Sequence, residues 1–438
     1  MRVALLSTLE PAGDAGTPRG LLRVGGRTIV EHQLAAAIAF GCERIVCLAE
    51  GFPRELRKIQ RLAESSGIGF AVVANGHELA ASVALHDELL VISGGLLAPA
   101  SELMALVEAG NGIVVQPAED GVAAGFERLD LHRANAGVMR LPSSLALRLA
   151  HLPSEWNPIS ALLRIAAQTG VALHPLPDRL SRQGFWMLVR SETEAQAIEP
   201  RWLRLHTSGA AARGLGAWVA ASLIQRFGPA LLHAGTRPRW ATLAALLLGV
   251  AGLALSWSGV AIAAFAFLGL AWIAQQCAEL LARIVRDSMP VLRRRWAVAP
   301  MVSWALDAAF VVCCVARLEQ TDELALQRLP AAFVALAVFG HLRLLPRLFP
   351  ARRWAPWIED RFVVALLLAC ASATAVFAPA LMAGALMMIC WAMAAASSPL
   401  QVQAPLVPAE PPGSEPRPVR TDAPSPRSVP RMRRAPAE

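Results

Sequence analysis

The chain has 438 residues, of which 55% are hydrophobic, and a net charge of +8. It is too apolar for an ordinary soluble protein. The positive excess is almost wholly arginine, Lys58 being the sole lysine, and the arginines flank long apolar runs. That arrangement fits an anionic membrane surface and excludes a nucleic-acid groove.

MRVALLSTLEP opens as a short strand, with Glu10 and Pro11 arriving too early for the apolar region of a signal peptide. The runs RVALLST, ERIVCLA, GFAVVAN, ELLVIS and GIVVQP are strand-like. They alternate with helical patterns such as TIVEHQLAAAIAFG and PRELRKIQRLAESSG. Thr28 and Glu31 form a capping-box pattern, and Gly41 closes that helix. Residues 1–200 are therefore predicted to be an α/β domain with a Rossmann-like mixed, mostly parallel sheet and helices on both faces. Cys42 and Cys47 read as core positions and the other five cysteines lie in apolar runs, so no metal spacing is present and a reducing compartment is expected.

Residues 201–239 form a connector. Leu215, Trp218, Val219, Leu223, Ile224 and Phe227 share one face at helical spacing, which predicts an amphipathic helix on the membrane surface or against the soluble domain. Six apolar runs follow, near 240–258, 260–283, 297–316, 329–349, 361–377 and 379–397, the last two joined by FAPA as a hairpin. Arg237 and Arg239 precede the first run, Arg286 and Arg293 to Arg295 follow the second, and Arg352, Arg353 and Arg361 separate the fourth from the fifth. The intervening loops are acidic or neutral. The expectation is an all-α six-span bundle over 240–397 in a bacterial-type inner (plasma) membrane, with both termini cytoplasmic. Residues 398–438, rich in proline and arginine, are expected to be a disordered tail.

The segment 19–52, RGLLRVGGRTIVEHQLAAAIAFGCERIVCLAEGF, resembles the sugar-phosphate nucleotidyltransferase family. NAGVMRLP (135–142) and FWMLVRSETEAQAI (185–198) are similar to two later segments of that family. The resemblance implies a CTP-type nucleotide cradled by Gly13, Gly16, Arg19, Gly25 and Gly26, with Mg²⁺ held by aspartates. Asp14 stands near where the family places a basic residue, and Arg19 takes the place of a lysine. The metal positions read Ser93-Gly94-Gly95 and Leu188, none of them a carboxylate. Asp87, Glu88, Glu119 and Asp120 are the acidic residues open to substitute for them.

The segment 235–284 resembles the entry to the CDP-alcohol phosphotransferase membrane domain, whose second and third spans carry four metal-binding carboxylates. Ala282-Arg283 match that family's Ala-Arg pair. Its aspartates become Gln275 and Ala278, its glycine becomes Glu279, and Asp307 is the remaining carboxylate on the third span. Glu279, Arg283 and Asp307 are the candidate catalytic residues. A buried polar network that includes Gln275 and Gln276 is the alternative.

The order of parts resembles fused enzymes that activate inositol phosphate with CTP and pass it to an acceptor. Two readings stay open. One is a membrane enzyme related to those that make a CDP-activated polar alcohol and transfer its phospho-alcohol group in phospholipid or polyol-phosphate synthesis, with reduced or lost metal chemistry. The other is a non-catalytic scaffold or regulator of an intact enzyme. The expected partners are the lipid bilayer, a nucleotide or CDP-alcohol ligand, and a second copy in a homodimer. A transporter is disfavoured, because no span is broken by glycine–proline pairs in corresponding halves.

Overall fold

The computed structural model describes residues 1–13, 16–182, 184, 186–209, 213–233, 238–287, 298–320, 328–348, 360–374 and 376–397. Asp14 and the basic tail after Ser397 lie outside the described residues. Met1–Cys390 forms one compact unit and Trp391–Glu438 a second, of which the last turns of a helix are described.

Strand β1 (Arg2–Ser7) opens the chain, and the hairpin β2 (Arg23–Val24) and β3 (Arg27–Thr28) leads into α1 (Ile29–Ala39). Then come β4 (Arg44–Leu48), α2 (Arg54–Glu64), β5 (Gly69–Val73), α3 (Gly76–Ser82), β6 (Glu88–Ile92), β7 (Leu96–Leu97), α4 (Ala100–Glu108), β8 (Gly112–Pro117), α5 (Ala118–Ala123) and β9 (Arg133–Pro142). The α/β part closes with α6 (Ser143–Leu147), α7 (Pro158–Gln168), β10 (Leu173–Pro175), α8 (Asp178–Arg182), β11 (Met187–Leu188) and α9 (Glu192–Thr207).

The sheet has seven strands in the order β10-β8-β9-β6-β1-β4-β5. β1 lies parallel to β4 and β6, whereas β9 runs antiparallel between β6 and β8. A parallel strand covered on both faces must be apolar throughout. β1 obeys this: Ala4 and Leu6 enter one core, Val3 and Leu5 the other.

The capping box on α1 forms as the sequence predicts. Glu31 Oε2 accepts from the Thr28 amide at 2.9 Å, and the Thr28 hydroxyl accepts from the Glu31 amide. Burial would raise the Glu31 carboxyl, but Lys58, 2.7 Å away, and the Thr28 amide hold it below its ordinary range.

The helical part comprises α10 (Leu215–His233), α11 (Pro238–Trp257), α12 (Ala261–Asp287), α13 (Val298–Glu319), α14 (Arg328–Leu348), α15 (Arg361–Ser372) and α16 (Phe377–Ser397). Small residues allow close approach between them. A Cβ on Gly252 would stand 3.1 Å from the Ala264 carbonyl, and one on Gly269 would stand 3.1 Å from the Ala365 Cβ.

Among the described residues, four helices are long and apolar enough to cross a membrane: Leu215–Leu232, Pro238–Trp257, Ala261–Ile284 and Pro300–Glu319. Three of the six expected spans are in this set. The other three correspond to α14 and α16, of 21 residues each, and to the 12-residue α15. The 12 residues of α15 rise about 18 Å, short of a bilayer core of about 30 Å. The expected hairpin joint also moves: the break falls near Ala373, and FAPA forms the first turn of α16, where Pro379 is tolerated.

α10 has two apolar faces. Ala220, Ala221, Ile224 and Leu232 are buried in one cluster with Trp202 and Leu203 of α9, with Val24 of β2, and with Leu280 and Ile284 of α12. Trp218, Leu223 and Phe227 point outward and are exposed. α10 thus packs on both α9 and α12, and its length and composition would allow it to cross a membrane.

Candidate functional site

Two places gather polar side chains. The first is the crevice at the carboxyl ends of β1 and β6, where the chain runs from β1 on to β4 and from β6 on to β8, in opposite directions along the strand order, the usual ligand position in open α/β sheets. Ser7 to Glu10 leave β1 there, and Ser93 to Gly95 leave β6. Gly13 and Gly16 adopt positive φ (55° and 66°) with open space around them, and Arg19 donates from Nε to the Pro11 carbonyl at 2.9 Å. Of the expected nucleotide contacts, Arg19 reaches this crevice, its Cβ 3.1 Å from where a Gly95 side chain would begin, and Gly13 and Gly16 lie between Glu10 and Arg19 in the chain. Gly25 and Gly26 do not share it. They form the β2–β3 turn, where the Gly25 amide donates to Glu199 Oε1 at 2.8 Å. A Cβ on Gly25 would enter the Trp202 ring, and one on Gly26 would stand 2.6 Å from the Leu232 carbonyl.

The two positions where the resemblance would place metal carboxylates are neighbours. Leu188 pairs with Leu96, and the Val189 amide donates to the Gly95 carbonyl at 2.9 Å. The carboxylate beside them is Glu10, which the sequence reading did not single out. Glu10 Oε2 accepts from the Ser7 hydroxyl at 2.6 Å, and its carboxylate fills the space where a Gly94 side chain would begin. Its position just past β1 in LEPAGDAG was the available signal.

The other acidic candidates are elsewhere. Asp87 and Glu88 lie at the amino end of β6, on the opposite edge of the sheet. Asp87 pairs with the Met1 amino group at 3.2 Å, and Glu88 with Arg140 at 2.8 Å and Arg2 at 3.2 Å. The Arg140 contact holds the Glu88 carboxyl below its usual range. Glu119 and Asp120 are exposed in the first turn of α5. Among the described residues Glu10 is the one carboxylate here, which does not make a Mg²⁺ site for a triphosphate, and its charge opposes phosphate binding.

The second place is in the helical bundle. Asp307 on α13 is 6% exposed. Its Oδ2 receives Nη2 of Arg343 (α14) at 2.8 Å, and its Oδ1 receives Nε of Arg361 (α15) at 3.1 Å. Arg361 is only 2% exposed, although the sequence counts it as a loop charge. The Arg343 guanidinium lies 4.0 Å from the centre of the Trp304 ring, and that of Arg361 5.5 Å from Trp272. Beside this cluster is a cavity of about 160 Å³, bounded by Trp272, Gln276 and Glu279 of α12, Ser303 of α13, Arg343 and Arg361. The Trp272 indole N–H is buried without a hydrogen-bond partner among the described residues.

Of the three expected catalytic residues, Glu279 borders this cavity and Asp307 anchors the arginines behind it. Arg283 is exposed one turn away, and among the described residues no ion pair joins it to Glu279. Gln275 Nε2 donates to Glu279 Oε1 instead, at 3.3 Å. Both oxygens of Asp307 are taken by guanidinium groups, and Gln275 and Ala278 replace two ligands of the resembled family. These residues do not fit a divalent metal. They offer fixed cations and an indole N–H to an anion, and the Glu279 carboxylate to a hydroxyl.

No protein-family model matches the chain, and no curated protein matches it. Two solved structures are similar to the N-terminal half. The UDP-glucose pyrophosphorylase from Acinetobacter baumanii is 12% identical over 48% of this chain and 95% of its own length, with a TM-score of 0.35. The inositol-1-phosphate CTP transferase from T. maritima is 16% identical over 44% of this chain and 91% of its own, with a TM-score of 0.34.

Proposed function

We propose that this membrane protein holds a phosphate-bearing polar alcohol, free or as its CDP ester, in the bundle cavity without divalent-metal chemistry. It would be a relative of the fused enzymes that build and transfer such groups in phospholipid or polyol-phosphate synthesis, retaining ligand recognition and having lost the metal ligands of both halves. The observation that carries this reading is the cavity wall: two guanidinium groups fixed by one buried aspartate, with the Trp272 N–H lacking a partner. A buried donor without a partner costs about 1–3 kcal/mol, which a ligand oxygen would recover. Glu279, on the same helix as Trp272 and two turns further on, accepts from a hydroxyl of the alcohol.

Glu10 supports the non-catalytic side of the reading. It puts negative charge where the α/β half would need to hold phosphate and metal. The α/β half then serves as a cytoplasmic platform seated on α10 and α12, on the inner-membrane side that the arginine distribution assigns to it.

The test is calorimetry of the detergent-solubilised chain with inositol phosphate and CDP-inositol. Saturable binding is expected, about tenfold weaker in Trp272→Phe, which keeps the ring and removes one hydrogen bond. No saturable binding of either compound would contradict the proposal.

A further inference from the structure

A second cavity, of about 310 Å³, lies in the α/β part between α1, α4 and α9, and is independent of the bundle site. Its size is at the lower end of small-molecule pockets. Its wall is mostly apolar, with Leu97, Pro99, Met187 and Trp202 among the lining residues, and two histidines contribute the polar edge.

The ring orientations of those histidines determine what they can accept. His32 Nε2 lies 3.0 Å from the Val24 carbonyl, and His206 Nδ1 lies 3.0 Å from the Trp202 carbonyl. A carbonyl only accepts, so each of these nitrogens carries the proton. In the neutral rings, His32 Nδ1 and His206 Nε2 are left as acceptors, and neither has a hydrogen-bond partner among the described residues. His32 stays neutral near pH 7, because burial pushes its pKa down to about 4.

The aromatic faces are already arranged. The Trp202 ring centre is 4.1 Å from His206 and 5.5 Å from His32. Among the described residues no lysine or arginine is a lining residue; the Arg201 guanidinium lies against Gly184 at the wall but is engaged elsewhere, and the amino end of α4 at the rim carries its own carboxylate, Glu102. An anionic ligand therefore finds no unengaged counter-charge among the lining residues.

We propose that this cavity binds a small neutral aromatic molecule bearing N–H or O–H donors, held by His32 and His206 beside Trp202. Since Trp202 also packs on the Gly25 turn, an occupant braces α9 against the β2–β3 hairpin on which α10 docks.

The experiment uses indole and 1-methylindole, which differ by one donor, on the full chain in detergent carrying ¹⁵N-labelled histidine. Indole is expected to bind saturably and to move the resonances of the unprotonated nitrogens of His32 and His206. 1-Methylindole should bind about tenfold more weakly, one hydrogen bond's worth. His32→Phe should lose that preference. Ser101→Trp, which fills the mouth from an exposed helix position without touching either histidine, should abolish binding while leaving the melting temperature unchanged. Equal affinity for the two indoles, no saturable binding of indole, or full binding by Ser101→Trp would overturn the proposal.

Discussion

Arg361 is the residue on which the bundle depends most. It is the first residue of α15, and it is buried against Asp307 and Trp272. Removing one partner of a buried ion pair leaves an uncompensated charge and costs about 3–5 kcal/mol. Asp307→Ala and Arg361→Ala should therefore each lower the melting temperature of the detergent-solubilised protein. The combined Asp307→Leu, Arg343→Met, Arg361→Met variant, with no charge left to compensate, should recover most of that loss. Equal melting of the single variants and the parent would mean that the cluster is solvated. At this scale the sequence was least informative. Asp307 was legible as a carboxylate on the third apolar run, but its partners lie 36 and 54 positions away, and no local pattern announces a contact of that range. Arg361 sits at the boundary of a run, where a guanidinium that snorkels to solvent and one that turns inward read alike.

His32 gives a pH dependence with a definite sign. Its folded pKa, about 4, lies below the ordinary 6.5, so the unfolded chain binds the proton first. Its contribution to stability is complete above pH 6.5 and falls away as the pH drops toward 4. At about 1.4 kcal/mol per unit, the loss is at most about 3 kcal/mol. Chemical denaturation across that window should show it, and His32→Gln should remove it. A parent and variant with the same pH slope would place the ring in water.

Among the elements, α1 was the most legible, because its capping box needs only four consecutive residues. Thr28→Ala should cost about 1 kcal/mol by loss of the cap. The glycine pair at 25 and 26 was legible only as part of an expected nucleotide cradle, and its place in the fold is a hairpin turn. Both have positive φ, as a tight hairpin requires, yet their lack of side chains also makes room for Trp202 and Leu232. Those neighbours are distant in sequence, so a glycine that seats a helix and one that cradles a phosphate look the same. Gly16 and Gly26 test the distinction. Each to alanine strains the backbone by about 1 kcal/mol. Only Gly26→Ala also meets the Leu232 carbonyl and should loosen α10, seen as faster amide exchange along it. Equal exchange in the two variants would remove the packing role.

For the whole molecule, the alternation of strands and helices and the mixed sheet were legible because burial on both faces imposes continuous apolar runs. The span count was less so: among the described residues four helices qualify by length and composition, α15 has 12 residues, and α10 has the composition of a span while packing on α9 and α12. The side on which the turn between α11 and α12 emerges settles the role of α10. If α10 lies on the surface, an exposed cysteine at Ser258 and one at Ser65 label from opposite sides of sealed vesicles, in a background without Cys370 and Cys390. If α10 crosses, they label from the same side.

Under the proposed function, guanidinium groups and not a metal prepare the bundle to receive a phosphate. The most direct measurement is the affinity of the full chain for inositol phosphate in EDTA and in Mg²⁺, compared by calorimetry. Because both Asp307 oxygens are held by Arg343 and Arg361, the two affinities should agree within about twofold. Binding that vanishes in EDTA and returns with Mg²⁺ would contradict the account.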